Sequence, residues 1–195
     1  MAGAKTRASL ILLACFIGVA SLGIHVIYLR QIEDHIFFST PKLDSANYHE
    51  TALALVNGEE TCPGVLTYNP LYPFILSVLY RFMGEPDFYT VRIIQAIVGA
   101  LNCVLILIVG ARYFDRRTGI VAALAALLYA PLLFFDGELI QSVWVLFFVL
   151  MAFALVPLDA RKLGWGRLAL ALVAGTFFGV GLLGRPNMLP FLVFY

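Results

Sequence analysis

The amino-acid sequence predicts an all-α polytopic membrane protein, and two observations carry that reading. Hydrophobic residues make up 62% of the 195-residue chain and charged residues 13%, against near half and a quarter in a soluble domain. The apolar residues also gather into runs of the length a bilayer demands, about 20 residues for a core roughly 30 Å thick. Too little polar surface remains to cover a water-facing globule, which excludes a soluble enzyme and a disordered segment. A formal net charge of +1 offers no footprint for nucleic acid. The three cysteines exclude a disulfide framework, since Cys15 and Cys103 lie in apolar runs, Cys62 stands in a polar loop, and one must stay free. No cysteine or histidine spacing suggests structural zinc.

The spans follow in order. Ala8 to Leu29, preceded by Lys5 and Arg7, is the first. A secretory signal has a shorter apolar region and a small-residue cleavage site. This run instead continues into Tyr28, Leu29 and Arg30 and reads as an uncleaved helix, with Ala20-Ser21-Leu22 as the alternative point of cleavage. Further spans are expected at Ile93 to Ala111, Gly119 to Phe135, Leu139 to Leu158 and Leu168 to Gly184, making about five complete helices. A sixth apolar run opens after Pro186 and is cut off at Tyr195, so residues 1–195 read as the amino-terminal part of one transmembrane domain.

Leu71 to Met83 differs. Its residues reach only about 20 Å as a helix, and the charges decide its placement. If it does not span, the inner side holds eight Lys and Arg against two Asp, a balance of +6, and the outer side five against ten acids, a balance of −5. If it spanned, the basic turns at 112–117 and 161–167 would fall outside, against the positive-inside tendency. The run is therefore expected to be re-entrant or interfacial, within a long outer loop of about residues 30–91, with the amino terminus cytoplasmic.

That loop holds most of the chemistry. In KLDSANYHETALALVNGEE, Ala52, Leu53 and Val56 follow Tyr48 or His49 at helical spacing, and Gly58 supplies a stop. A short amphipathic helix should lie along the outer surface, opened by Asp44. Aspartate is a favoured N-cap, and a carboxylate there is equally placed to act as a base. Tyr48, one turn on, and His49 cluster a phenol and an imidazole with it; an interfacial aromatic belt is the other account of Tyr48. Beyond Tyr68, Asn69, Pro70, Tyr72 and Pro73, the prolines favour a helix start. Arg81 either snorkels to water or meets a lipid phosphate.

Three features lie at the other outer ends. In FFDGELIQS, Asp-Gly is ordinary turn chemistry, so Asp136 is expected to shape a turn. Glu138, with Gln141 and Ser142 beyond, is expected to face an outer aqueous cavity. Asp136 and Glu138 without a third ligand make no convincing metal site. Ala171, Gly175 and Gly179, then Gly181 and Gly184, form a run of small residues expected to pack helices closely. Arg185, just after it, either snorkels or binds an anion in the cavity of Asp44.

LDSANYHETALALVNGE, YNPLYPFILSVLYRFMG, VRIIQAIVGALNCVLILIVGARYF, FFDGELIQS and GLLGRPN, in that order, resemble the family-39-like integral-membrane glycosyltransferases. These include the protein mannosyltransferases and aminoarabinose transferases. The resemblance implies the GT-C fold and transfer of a sugar from a polyprenyl-phosphate donor to a hydroxyl acceptor, whether glycan, lipid or protein. It implies Asp44 as the first-loop catalytic base, Glu138 as the second acid with Asp136 its competitor, and Arg185 as the cation for the donor phosphate. Tyr48 and His49 become candidate substrate contacts. Protein mannosyltransferases carry adjacent Asp-Glu in the first loop, whereas Asp44 is followed by Ser45, which points away from that subgroup.

A phosphate-bound sugar already has a good leaving group, so the site chiefly needs a base for the acceptor and a cation for the phosphate. One carboxylate as base implies single displacement with inversion. No cofactor or divalent metal is implied, and no Gly-rich phosphate loop occurs. The expected partners are the lipid-phosphate donor, the acceptor and membrane lipids, in a bacterial inner membrane. The competing classes are a transporter, which would place ionisable groups near the midplane, and a non-catalytic membrane protein.

Overall fold

The structure, a computed structural model, describes residues 2–59, 69–158 and 164–187. Cys62, Tyr68, Arg161, Lys162 and the apolar run beyond Asn187 lie outside the described residues. Among the described residues the fold is entirely helical: α1 (Ala2–Ile32), α2 (Ile36–Ser39), α3 (Asp44–Asn57), α4 (Leu71–Met83), α5 (Phe88–Tyr113), α6 (Arg116–Leu127), α7 (Ala130–Gly137), α8 (Ser142–Leu155) and α9 (Trp165–Gly184). It is an all-α polytopic membrane protein. Ser9–Ile32 of α1, α5 and α9 are each long and apolar enough to cross a bilayer, and α6 with α7 makes a fourth crossing if the bent pair counts as one span.

Helix α5 is the hub. On one flank its Cys103 and Leu107 pack with Ile17 of α1 and Ala123 of α6. A Cβ on Gly110 would lie 2.7 Å from the Gly119 Cα, so the α5–α6 crossing requires two glycines in contact. At the amino-terminal end of α5, Val91 joins Tyr48 and Ala52 of α3, Tyr72, Leu76 and Tyr80 of α4, and Leu139 in a second core. Thus α3 and α4 cover the end of the bundle where α5 begins. Their limits follow local chemistry: Gly58 (φ 70°) and Gly84 (φ 81°) end them in the left-handed region that only glycine enters freely. The Asp87 and Asp115 side chains accept from the amides of Tyr89 and Thr118, capping α5 and α6.

Two expected spans are altered. Gly119 to Phe135 is not one helix, because α6 stops at Leu127 and α7 restarts at Ala130 with a 58° bend. Pro131 sits in the first turn of α7, where its missing N–H costs nothing, whereas in a continuous helix its ring would collide with the carbonyl four residues back. Leu139 to Leu158 shortens to α8, about 21 Å long. Pro157 stops it at one end, and Arg112 of α5 donates to the carbonyls of Ala154 and Val156, which the helix end leaves unpaired.

The small-residue run packs closely only at its carboxy-terminal end. Gly175 and Gly179 would accept a Cβ with nothing within 4 Å, whereas Gly181 lies against Phe148 and Val149, and Gly184 against Val145 and Leu71. Arg81 is exposed, and its Nη2 donates to the Leu55 carbonyl at 2.8 Å, closing the last turn of α3.

Orientation in the bilayer is open to direct measurement. Glu50 on α3 and Thr118 at the start of α6 are exposed at opposite ends of α5. In intact cells a membrane-impermeant thiol reagent should modify an engineered cysteine at 50, and native Cys62, and leave one at 118 untouched. Labelling at 118 with protection at 50 and 62 would invert the assignment.

Candidate active site

A cavity of about 180 Å³ opens at the end of the bundle covered by α3 and α4, lined by Phe37, Pro41, Lys42, Leu43, Ser45, Arg92 and Glu138. Arg92 is its most constrained member, only 2% exposed. Its Nε donates to the Gly137 carbonyl at 2.8 Å and its Nη1 to the Phe38 carbonyl at 2.9 Å. The guanidinium also lies 4.0 Å from the centre of the Phe38 ring. One side chain from α5 thereby fixes α2 and the end of α7. Its Nη2 makes no hydrogen bond among the described residues.

Gln95, one turn further along α5, performs the companion task. Its Nε2 donates to the carbonyls of Asp136 (2.9 Å) and Glu138 (2.7 Å), and its Oε1 accepts from the Tyr72 hydroxyl at 2.5 Å. These bonds explain why the chain does not turn at Asp136-Gly137 and enter a helix at Leu139. The freed carbonyls at 136–138 find donors on α5, so an irregular stretch is tolerated inside an apolar bundle. Glu138 emerges from it half-buried, in the cavity wall with Arg92 and Lys42.

Asp136 corrects the expectation of a turn former. It lies in the last turn of α7, 2% exposed, and its Oδ2 meets the His25 Nε2 of α1 at 3.1 Å. It does not line the cavity.

Asp44 is the first residue of α3, but its side chain caps nothing. The N-cap is Leu43, without a side-chain hydrogen bond, so the capping account is overturned. Leu43 has φ 53° and ψ −128°, a backbone conformation that costs a non-glycine residue about 1–3 kcal/mol. That kink turns Leu43 and Ser45 to the cavity and leaves Asp44 between them, exposed.

Tyr48 is buried and packs edge-to-face with Tyr72, ring centres 5.3 Å apart. His49 meets the Tyr80 hydroxyl through Nδ1 at 3.0 Å and the Phe88 ring at 4.9 Å. Burial lowers the His49 pKa, against the opposing pull of Glu50, and burial pushes the Tyr80 phenol up to about 12. The pair is therefore neutral imidazole and phenol near neutrality. Neither Tyr48 nor His49 lines the cavity; they support the helix that carries Asp44. Arg185 ends α9 and is exposed, next to Gly184, which packs on Leu71 of α4. The structure brings Glu138 to the cavity and Asp44 to its edge, and leaves Arg185 off its wall.

Sequence reasoning missed Arg92, Gln95, Lys42 and His25. Arg92 and Lys42 are two of the five outer cations in the charge balance, although an arginine and a glutamine one turn apart at the start of an apolar helix signal buried carbonyls in need of donors.

The sequence model of the family described as dolichyl-phosphate-mannose-protein mannosyltransferase matches residues 67–195, about two thirds of the chain. The match takes in Arg92, Gln95, Asp136, Glu138 and Arg185 and begins after Asp44, Tyr48 and His49. No curated protein and no solved structure matches.

Proposed function

Because the chain belongs to the dolichyl-phosphate-mannose-protein mannosyltransferase family, we propose that it moves a sugar from a polyprenyl-phosphate donor to a hydroxyl acceptor at the cavity between α3, α5 and the end of α7. The observation that carries this reading is the cavity's composition: two cations, Arg92 and Lys42, beside the carboxylate of Glu138, with Asp44 exposed between the lining residues Leu43 and Ser45.

The donor phosphate seats against Arg92 and Lys42, whose charges stabilise it as it leaves. Arg92 replaces Arg185 as the principal phosphate cation in this reading, with Arg185 left for the outer course of the donor. Asp44 takes the acceptor's proton while the acceptor oxygen attacks the sugar carbon opposite the phosphate. The C–O bond to phosphate breaks as the new glycosidic bond forms, with inversion. Glu138, facing the cations, orients the sugar or acceptor hydroxyl. The cavity is smaller than the roughly 300–1,000 Å³ of a complete ligand pocket, so it serves the phosphate end of the donor, with the polyprenyl tail in lipid. The chain lies in a bacterial cell membrane as part of a GT-C domain, and the charge balance supports an amino terminus on the cytoplasmic side.

The test is sugar transfer by the complete enzyme in its own membranes. Glu138→Gln removes the charge and keeps the shape, and should lower transfer by about 10²-fold with normal expression. Asp136→Asn should be milder. The reverse ranking would assign the pair backwards.

A further inference from the structure

His25 and Asp136 form a buried ionisable pair that the transfer step does not touch. His25 is 6% and Asp136 2% exposed. The imidazole Nδ1 lies 2.8 Å from the Ser21 carbonyl, and a carbonyl only accepts, so Nδ1 carries a hydrogen. The 3.1 Å contact between Nε2 and Asp136 Oδ2 then requires one further proton between those two atoms. With it on either side the pair sums to zero charge, the condition under which two ionisable groups persist in apolar surroundings. Gly99 of α5 makes room for them, since a Cβ there would lie 2.6 Å from Nε2 and would also overlap the carboxylate. The other carboxylate oxygen, Oδ1, is buried without a partner among the described residues, so among them His25 is what holds this side chain.

What the pair restrains is the stretch that presents Glu138. Helix α7 ends one residue after Asp136, and three consecutive residues are then tied from outside: Asp136 by Gln95 and His25, Gly137 by Arg92, Glu138 by Gln95. The α5 donors grip only backbone; among the described residues His25 supplies the polar contact from α1. Tyr28, one turn beyond His25, presses on Gly137, where a Cβ would lie 2.7 Å from its ring.

We infer that the His25–Asp136 contact between α1 and α7 is a positioning element, holding Glu138 in the cavity wall beside Arg92 and Lys42. This rests on the proposed role of Glu138, and the experiment separates the two. In the full chain, with Cys15 and Cys62 replaced by serine, Glu138→Cys places a thiol beside two cations, which raise its thiolate fraction and its rate with a small water-soluble thiol reagent. Adding His25→Phe with Asp136→Leu should leave a folded protein, since an apolar pair replaces a buried polar one, and should slow modification at 138 about tenfold as the thiol leaves the cations. Asp136→Asn, whose amide can donate to Nε2, should restore the rate. An unchanged or faster rate in the folded double variant overturns the inference. If that variant does not fold, Asp136→Leu alone, which removes the acceptor and leaves a neutral His25 on the Ser21 carbonyl, is read the same way. If the rate falls as expected while Glu138→Gln keeps full transfer, the role of Glu138 fails and the tether stands. If the rate is unchanged and Glu138→Gln loses transfer, the tether alone fails.

Discussion

Arg92→Lys is expected to lower sugar transfer by 10²-fold or more, although it keeps the positive charge in place. The reason is geometric. The guanidinium uses Nε on Gly137 and Nη1 on Phe38, stands over the Phe38 ring, and still lines the cavity. An ammonium is a single point at the end of a flexible stem and cannot reach two carbonyls on separate segments and a ligand together. One buried carbonyl is then left unpaired, at about 1–3 kcal/mol, and the segment carrying Glu138 loses its hold. Misplacement by about 1 Å is itself enough for a 10²-fold loss. Arg92→Lys should thus show a lower melting temperature in detergent together with the lost transfer. Wild-type transfer in Arg92→Lys would mean that charge alone suffices and that the fork plays no part.

The legible and illegible parts of this fold divide along a physical line. The limits of α3 and α4 could be read because Gly58, Pro70 and Gly84 act on their own neighbours. The shortening of α8 could not, because the donors that make 136–138 tolerable come from Arg92 and Gln95, more than forty residues earlier in the chain. Pro131 did announce the break between α6 and α7, but the unbroken apolar run around it argued for one span. The stripe at Gly175 and Gly179 shows the limit of small-residue patterns: they permit close approach, and the opposing surface decides whether it happens. At the site, Glu138 was legible from its place at a helix mouth. Arg92 and His25 lie inside apolar runs, where a charge count gives no sign of which carbonyl or carboxylate they serve.

The structure sharpens the test of Asp44. With an N-cap side chain, Asp44→Asn would have been a comparison between two good caps. Here the carboxylate makes no capping bond, and Leu43 occupies the N-cap. What Asp44 contributes to α3 is a negative charge in the first turn, about 0.3–1 kcal/mol through the helix dipole. Asp44→Asn should therefore express normally, with at most a small drop in melting temperature. If Asp44 accepts the acceptor's proton, transfer from a polyprenyl-phosphate donor falls by about 10²-fold or more, because an amide cannot take that proton. Asp44→Glu separates base from bystander: it keeps a group able to take the proton but moves it by one methylene, so it should recover part of the rate while Asp44→Asn recovers none. Should Asp44→Asn retain most of its transfer with normal folding, the base assignment is wrong. Glu138 would then be the carboxylate left in the cavity wall to do that work.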